Sequence, residues 1–192
     1  MATKQQVNEF FNQMANACST LNMGTLFPSV AMAQSAVESG YGQTLLARQY
    51  NNYFGIKSLG KWTGKSINMQ TREVVNNTSV TIKSNFRVYD SMRESIADRN
   101  TFLKSYSRYK PILEAKTPVE QIKALGESGY ATSPNYATAI LNVYNTYNLS
   151  QYDDIVKKKR IVKIALLGGL IVICLTYKPI YNGIKKIFGK AK

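Results

Sequence analysis

Ile164 to Tyr177 is a run of 14 residues without a charge, with lysine and arginine crowded at both ends. Such a stretch has no polar side to show to water, so it must be covered by protein or by lipid. Adding Ile161, Val162 and Lys163, whose long stem can snorkel, extends it to 17 residues, the short end of what crosses a bilayer. A buried core helix is the usual reading of 10–14 apolar residues. The lysines at both ends favour a span, because they suit two headgroup layers. The chain is therefore expected to divide into a domain over residues 1–150, a basic linker over 151–160, a transmembrane helix over 161–178 and a basic amphipathic tail over 179–192.

Charge follows the same division. The formal net charge is +14, yet residues 156–192 hold 10 Lys+Arg and no acid, leaving 15 Lys+Arg against 11 Asp+Glu before them. A basic segment suits nucleic acid or an anionic membrane surface. Aromatic interleaving is thin in the tail, so the membrane is the expected partner of 161–192 and nucleic acid is not. Five Lys/Arg precede the apolar run and five follow it, so the positive-inside rule assigns no orientation. The first twenty residues read as an amphipathic helix rather than a secretory signal. Histidine is absent, which excludes Ser-His-Asp and Cys-His catalysis and histidine metal sites. Cys18 and Cys174 are far apart, so neither a disulfide framework nor a zinc site is expected.

Within the domain, Val7, Phe10, Phe11, Met14, Cys18 and Leu21 recur at helical spacing and predict a core-facing helix. A second helix is expected from Pro28, a first-turn residue, to Gly40, a left-handed cap. A short one should follow near residues 43–49. Ile67 to Val88 reads as two strands around Asn76-Asn77, a β-hairpin. Ser91 with Glu94 forms a capping box that opens another helix. Thr117, Pro118 and Glu120 open the next, ending near Gly126, and a last one starts at Ser133-Pro134 with Tyr136, Ile140, Tyr144 and Tyr147 on one face. The fold class is α+β, mostly helical, with one inserted hairpin.

Most acids have ordinary explanations. Glu94 and Glu120 read as helix caps, Asp90 as support for a helix start, and Asp98, Glu114, Glu127, Asp153 and Asp154 as solvated. Glu38 differs, being the one charge in "AMAQSAVESGYG", and Glu73 sits in the first hairpin strand. A glutamate in an apolar cleft has its charged form disfavoured and can hold a proton near neutral pH. Glycoside hydrolysis asks for such an acid, to protonate the departing oxygen. Spacing alone also allows an unremarkable helix glutamate.

The ordered series "AMAQSAVESGYG", "NNYFGIK", "TREVV", "FRVYDSMRESIADRNTFL" and "GYATSPNYATAI" resembles the glucosaminidases of glycoside hydrolase family 73, over roughly residues 5–150. Each motif is weak and the order is specific. The family is similar in fold to goose-type lysozyme, a helical lobe and a small β-lobe with a sugar groove between them. The resemblance implies cleavage of the β-1,4 bond from N-acetylglucosamine to N-acetylmuramic acid, with peptidoglycan glycan strands as partner and no cofactor. It implies Glu38 as general acid and Glu73 as the second acidic residue. Glu73 would be a base for water, or the substrate's own N-acetyl group would assist. It places a tyrosine near the acid, Tyr130 by preference and Tyr136 as the rival that is otherwise core. Ser133 stands where many relatives have aspartate, and serine is a good N-cap. Sugar rings stack their C–H faces on aromatic surfaces, which makes Phe54, first a packing residue, and Trp62 candidates for the groove. Asn51 and Asn52 are candidates for substrate contact. A non-catalytic wall-binding module with the same groove is the alternative. Localisation is expected at a membrane by the C-terminal segment, in a phage virion or host envelope, or otherwise in a bacterial cell envelope.

Overall fold

The computed structural model describes residues 2–60, 62–75, 78–162 and 164, without the side chains of residues 72–75 and 78–79. The chain divides into two units, Met1–Val156 and Lys157–Lys192. The expected transmembrane helix and tail, 161–178 and 179–192, lie almost wholly outside the described residues. Among the described residues no helix is long and apolar enough to cross a membrane.

The first unit is mostly helical with one two-stranded antiparallel sheet. Helix α1, Lys4–Ser19, starts on a capping box: Thr3 Oγ1 accepts from Gln6 N, and Thr3 N donates to Gln6 Oε1 at 2.8 Å. It buries Val7, Phe10, Phe11, Met14 and Cys18, the expected stripe. Helix α2, Pro28–Ser39, has Pro28 in its first turn and ends on Gly40 at φ 56°. Every residue from Pro28 to Ala36 is buried. Such a helix is the centre of a bundle, which explains its small side chains: α1, α6 and α7 all pack on it. Helix α3, Leu45–Tyr50, is capped by Thr44, which accepts from Ala47 N.

Strands β1, Ser66–Val75, and β2, Thr78–Arg87, pair from Ser66↔Arg87 to Val75↔Thr78, with Glu73 opposite Val80. The expected Asn76-Asn77 turn lies outside the described residues. Helix α4 is Met92–Ser105. Ser91 caps it by accepting from Glu94 N, but Glu94 reaches back to Asp90 N rather than Ser91 N. A short helical passage follows, with α5 over Lys110–Glu114. Helix α6, Pro118–Glu127, is capped by Thr117. Helix α7 is Tyr136–Thr146.

Several features of the later helices have physical causes. Helix α6 ends at Glu127, next to Gly126 as expected, and a Cβ on Gly126 would sit 2.6 Å from Ala137 Cβ, so the glycine lets α6 and α7 approach closely. Helix α7 starts later than Ser133, without a side-chain cap, and Ser133 takes the Tyr136 N–H on its backbone carbonyl. Residues 151–156, the start of the expected linker, are helical. Asp153 is not solvated: it accepts from Ser29 N at 2.8 Å and Ser29 Oγ at 2.7 Å. This carboxylate sits on the positive N-terminal end of α2 and satisfies a donor that no helical carbonyl reaches. Val156 is buried in the same core.

Candidate active site

Glu38 lies in the last turn of α2, beside the left-handed residues Gly40, Tyr41 and Gly42 that turn the chain sharply. It is half-buried, and burial raises its pKa above the ordinary 4.5, opposed by a hydrogen bond from Tyr136. The carbonyl end of α2 also disfavours a negative charge there. Tyr136 Oη donates to Glu38 Oε1 at 2.6 Å. Gly55, at φ 63°, passes so close that a Cβ on it would lie 3.6 Å from Glu38 Oε2. One carboxyl oxygen is thus held from α7 and the other lies on the Gly55 side.

A cavity of about 660 Å³ opens at Glu38. That is within the roughly 300–1,000 Å³ of small-molecule clefts. Its walls come from the Phe54–Lys57 loop, Met69 to Thr71 of β1, Phe86 and Arg87 of β2, the Tyr106–Tyr109 passage and Tyr130 to Thr132. Helical lobe and hairpin therefore face each other across it. Tyr130 donates to Phe54 O at 3.1 Å, and its ring runs parallel to that of Tyr136 with centroids 6.0 Å apart. Burial, then the nearby Glu38 charge, pushes both tyrosine hydroxyls above their ordinary range, so both remain neutral donors.

The expected site residues separate into two groups. Glu38, Tyr130 and Phe54 line the cavity, and Tyr136 touches Glu38 from behind. Phe54 is only 1% exposed and lies under the Arg99 guanidinium at 5.4 Å, so it is chiefly a packing residue. Asn51, Asn52 and Trp62 are not among the lining residues. Asn52 is buried, and its amide is committed to backbone: Nδ2 donates to Ile56 O and Arg87 O, both at 2.9 Å, while Oδ1 accepts from Ile56 N at 3.1 Å. Asn51 caps α3 at φ 50° and donates to Tyr89 O. These two asparagines join the hairpin to the helices. Trp62 lies under the Arg87 guanidinium at 4.5 Å and donates to Lys65 O. Glu73 is in β1, two positions past Thr71; its side chain lies outside the described residues.

Several site features are not legible in the sequence. Asp98, expected to be solvated, accepts from Arg87 Nη1 at 2.8 and 2.9 Å and from Tyr89 Oη at 2.6 Å, locking the base of β2 to α4. Phe102, Tyr106 and Tyr109 form a ring cluster that continues into Tyr130. Arg108 Nη2 donates to Tyr109 Oη. The alternation of aromatic and basic residues in "SYSRYK" is the one local signal for that wall. Cys18 is a buried free thiol whose pKa burial pushes up to about 12, so it is unreactive.

A helical lobe and a β-hairpin enclosing a cleft, with a shielded glutamate at its floor, define a lysozyme-like architecture. Residues 15–149 match the glucosaminidase family, described as mannosyl-glycoprotein endo-beta-N-acetylglucosaminidase, and the chain belongs to that family. The chain is 38% identical to the exo-glucosaminidase LytG of Bacillus subtilis (strain 168) over 135 residues, 68% of this chain and 47% of the relative. It is 35% identical to the peptidoglycan hydrolase FlgJ of Escherichia coli (strain K12) over 116 residues, 58% of this chain and 37% of the relative. The chain thus spans less than half the length of these two relatives. The catalytic domain of the autolysin Auto from Listeria monocytogenes superposes with a TM-score of 0.68 at 33% identity, covering 80% of this chain and 90% of that one.

Proposed function

We propose that the first unit is a peptidoglycan hydrolase that cleaves the β-1,4 bond between N-acetylglucosamine and N-acetylmuramic acid, with Glu38 as the general acid. The observation that carries this is the pairing at Glu38: a shielded carboxyl on a cleft, with Oε1 held by Tyr136 and Oε2 beside Gly55. Protonated Glu38 gives its hydrogen to the glycosidic oxygen as that bond breaks, and the sugar develops oxocarbenium character. Water then adds to the anomeric carbon, with Glu73 as its base or the substrate's N-acetyl group assisting. Tyr130 and the exposed Tyr106 offer aromatic surface and hydroxyls to the sugar. The relatives' descriptions, an exo-glucosaminidase and a peptidoglycan hydrolase, support the choice of substrate.

Mass spectrometry of fragments released from purified cell wall by the full chain tests the reading. Fragments ending in reducing N-acetylglucosamine are expected, and Glu38→Gln should release none. Fragments ending in N-acetylmuramic acid would move the cut to the other linkage. Binding without release would support a wall-binding module instead.

The apolar run and its flanking lysines support a second proposal, that residues 161–178 anchor the hydrolase in a membrane. Flotation of the full chain with vesicles, lost on truncation after Val156, is the expected result. A phage setting would place the enzyme at the wall during infection or release, and its presence in purified virions checks that setting.

A further inference from the structure

Arg99 is 0% exposed inside α4, and the hydrolase mechanism above gives it no task. Its partners are Gln34 Oε1 at 2.7 Å from Nε, Asn100 Oδ1 at 3.1 Å from Nη1, and the face of Phe54. None is a carboxylate, and Nη2 has no hydrogen-bond partner. Burying a cation this way costs several kcal/mol, so a purely structural arginine is a poor solution here. An apolar residue would fill the space at lower cost.

The hydrogen-bond directions supply a purpose. A guanidinium has donors only, so the Gln34 amide must turn its oxygen to Arg99. Its nitrogen then faces the other way and donates to Tyr136 Oη at 2.9 Å. With that lone pair occupied, the Tyr136 hydrogen is left for Glu38 Oε1 at 2.6 Å. Every bond points the same way, from the buried cation to the carboxyl, and each polarises the next. An oxygen that accepts so short a bond is the poorer place for the acid's own hydrogen, which therefore sits on Oε2, the oxygen beside Gly55.

We infer that Arg99 and Gln34 are positioning residues which, through Tyr136, keep the transferable proton of Glu38 on the oxygen that faces the cleft. The inference rests on Glu38 being the general acid. Without Arg99 the Gln34 amide is free to turn over, Tyr136 can donate to residue 34, and Glu38 can place its proton on Oε1 against Tyr136, where no substrate reaches it. The titratable groups facing Arg99 are Cys18 from α1, Tyr136 from α7 and Tyr130, all neutral at neutral pH. Glu38 faces Tyr130 and Tyr136, and Lys57, Arg87 and Arg108 line the same cavity.

Two substitutions at one position separate positioning from packing. Gln34→Glu keeps the acceptor for Arg99 and adds an ion pair, but it can only accept from Tyr136, so it reverses the relay. Gln34→Met removes both bonds and leaves the Tyr136 hydroxyl undirected. In the full chain, Gln34→Glu should have the higher Tm and the lower kcat, down about 10- to 100-fold with KM within twofold (~0.4 kcal/mol). The high-pH limb of its kcat profile should also move upward, because Glu38 has lost its donor and gained a negative neighbour. A structural role predicts the opposite order, with Gln34→Met the less stable and the less active. Turnover that follows Tm across the two variants, or an unmoved limb with wild-type kcat, overturns the inference. Glu38→Gln is the control. If it retains full turnover, the functional assignment itself fails; if it is inactive while turnover at position 34 follows Tm, only the relay fails.

Discussion

The two walls of the cleft are built by opposite means. The helical wall carries Glu38 on a helix with a buried face on every side, and a chain of side-chain bonds from Arg99 through Gln34 and Tyr136 reaches its carboxyl. The hairpin wall is a two-stranded sheet, an element that is marginal alone. It is fastened at its base: Asn52 bonds Ile56 and Arg87, Ser58 N donates to Asn85 O, and Asp98 holds Arg87. The acid is fixed by packing and the facing wall by a joint of a few polar groups. Under the proposed function, a hydrolase that must admit a long polymer would be well served by that division, because Glu38 stays in place whatever the facing wall does.

The contrast can be broken from either side. The largest effect belongs to Glu38→Gln, which should lower the rate of wall clearing by at least about 100-fold, the scale of general acid catalysis, as read by turbidity. Its stability should go the other way. The folded pKa of Glu38 is raised, so the native state holds its proton more tightly than the unfolded chain above about pH 4.5. Wild-type stability from this group is complete below that pH and is lost as pH rises through the folded value. The amide variant should therefore match wild type near pH 4 and show the higher Tm at pH 8 by scanning calorimetry. Activity should fall over the same rising window as the acid loses its proton.

Asn52→Ala attacks the other wall. It strips partners from buried backbone groups at roughly 1–3 kcal/mol for each one left unpaired. At roughly 2–4 °C per kcal/mol, a Tm loss of several degrees should accompany a loss of activity. Gly126→Val lies away from the cleft and forces apart α6 and α7, which should cost about 1–3 kcal/mol and lower Tm more than kcat. Ser29→Ala is the mildest. It removes one of two bonds to Asp153, about 1 kcal/mol in denaturant titration, with turnover unchanged.

What was legible in the chain follows the range of the interactions. Helix α2 was readable from Pro28 to Gly40 and the strands from their alternation, because caps and periodicity are local. Tyr136 was in view with a choice between core and site, and it is buried and bonded to Glu38. Asn51 and Asn52 were readable only as polar residues near a loop. A ligand contact and a backbone clamp ask for the same amide, and the choice depends on Ile56, Arg87 and Tyr89 arriving from elsewhere. Asp153 and Arg99 were out of reach for the same reason: their partners, Ser29 and Gln34, lie 124 and 65 positions away. A charged residue far along the chain carries no mark saying whether water or a distant helix will meet it.

The crowding around α2 limits how this enzyme could be altered. From Pro28 to Ala36 it has no outward side, so an enlarged side chain there would push several neighbouring helices at once and shift the acid at the far end. A protein engineer seeking new cleavage preferences would leave that axle untouched and diversify the opposing bank, where Met69, Gln70 and Thr71 border the cavity.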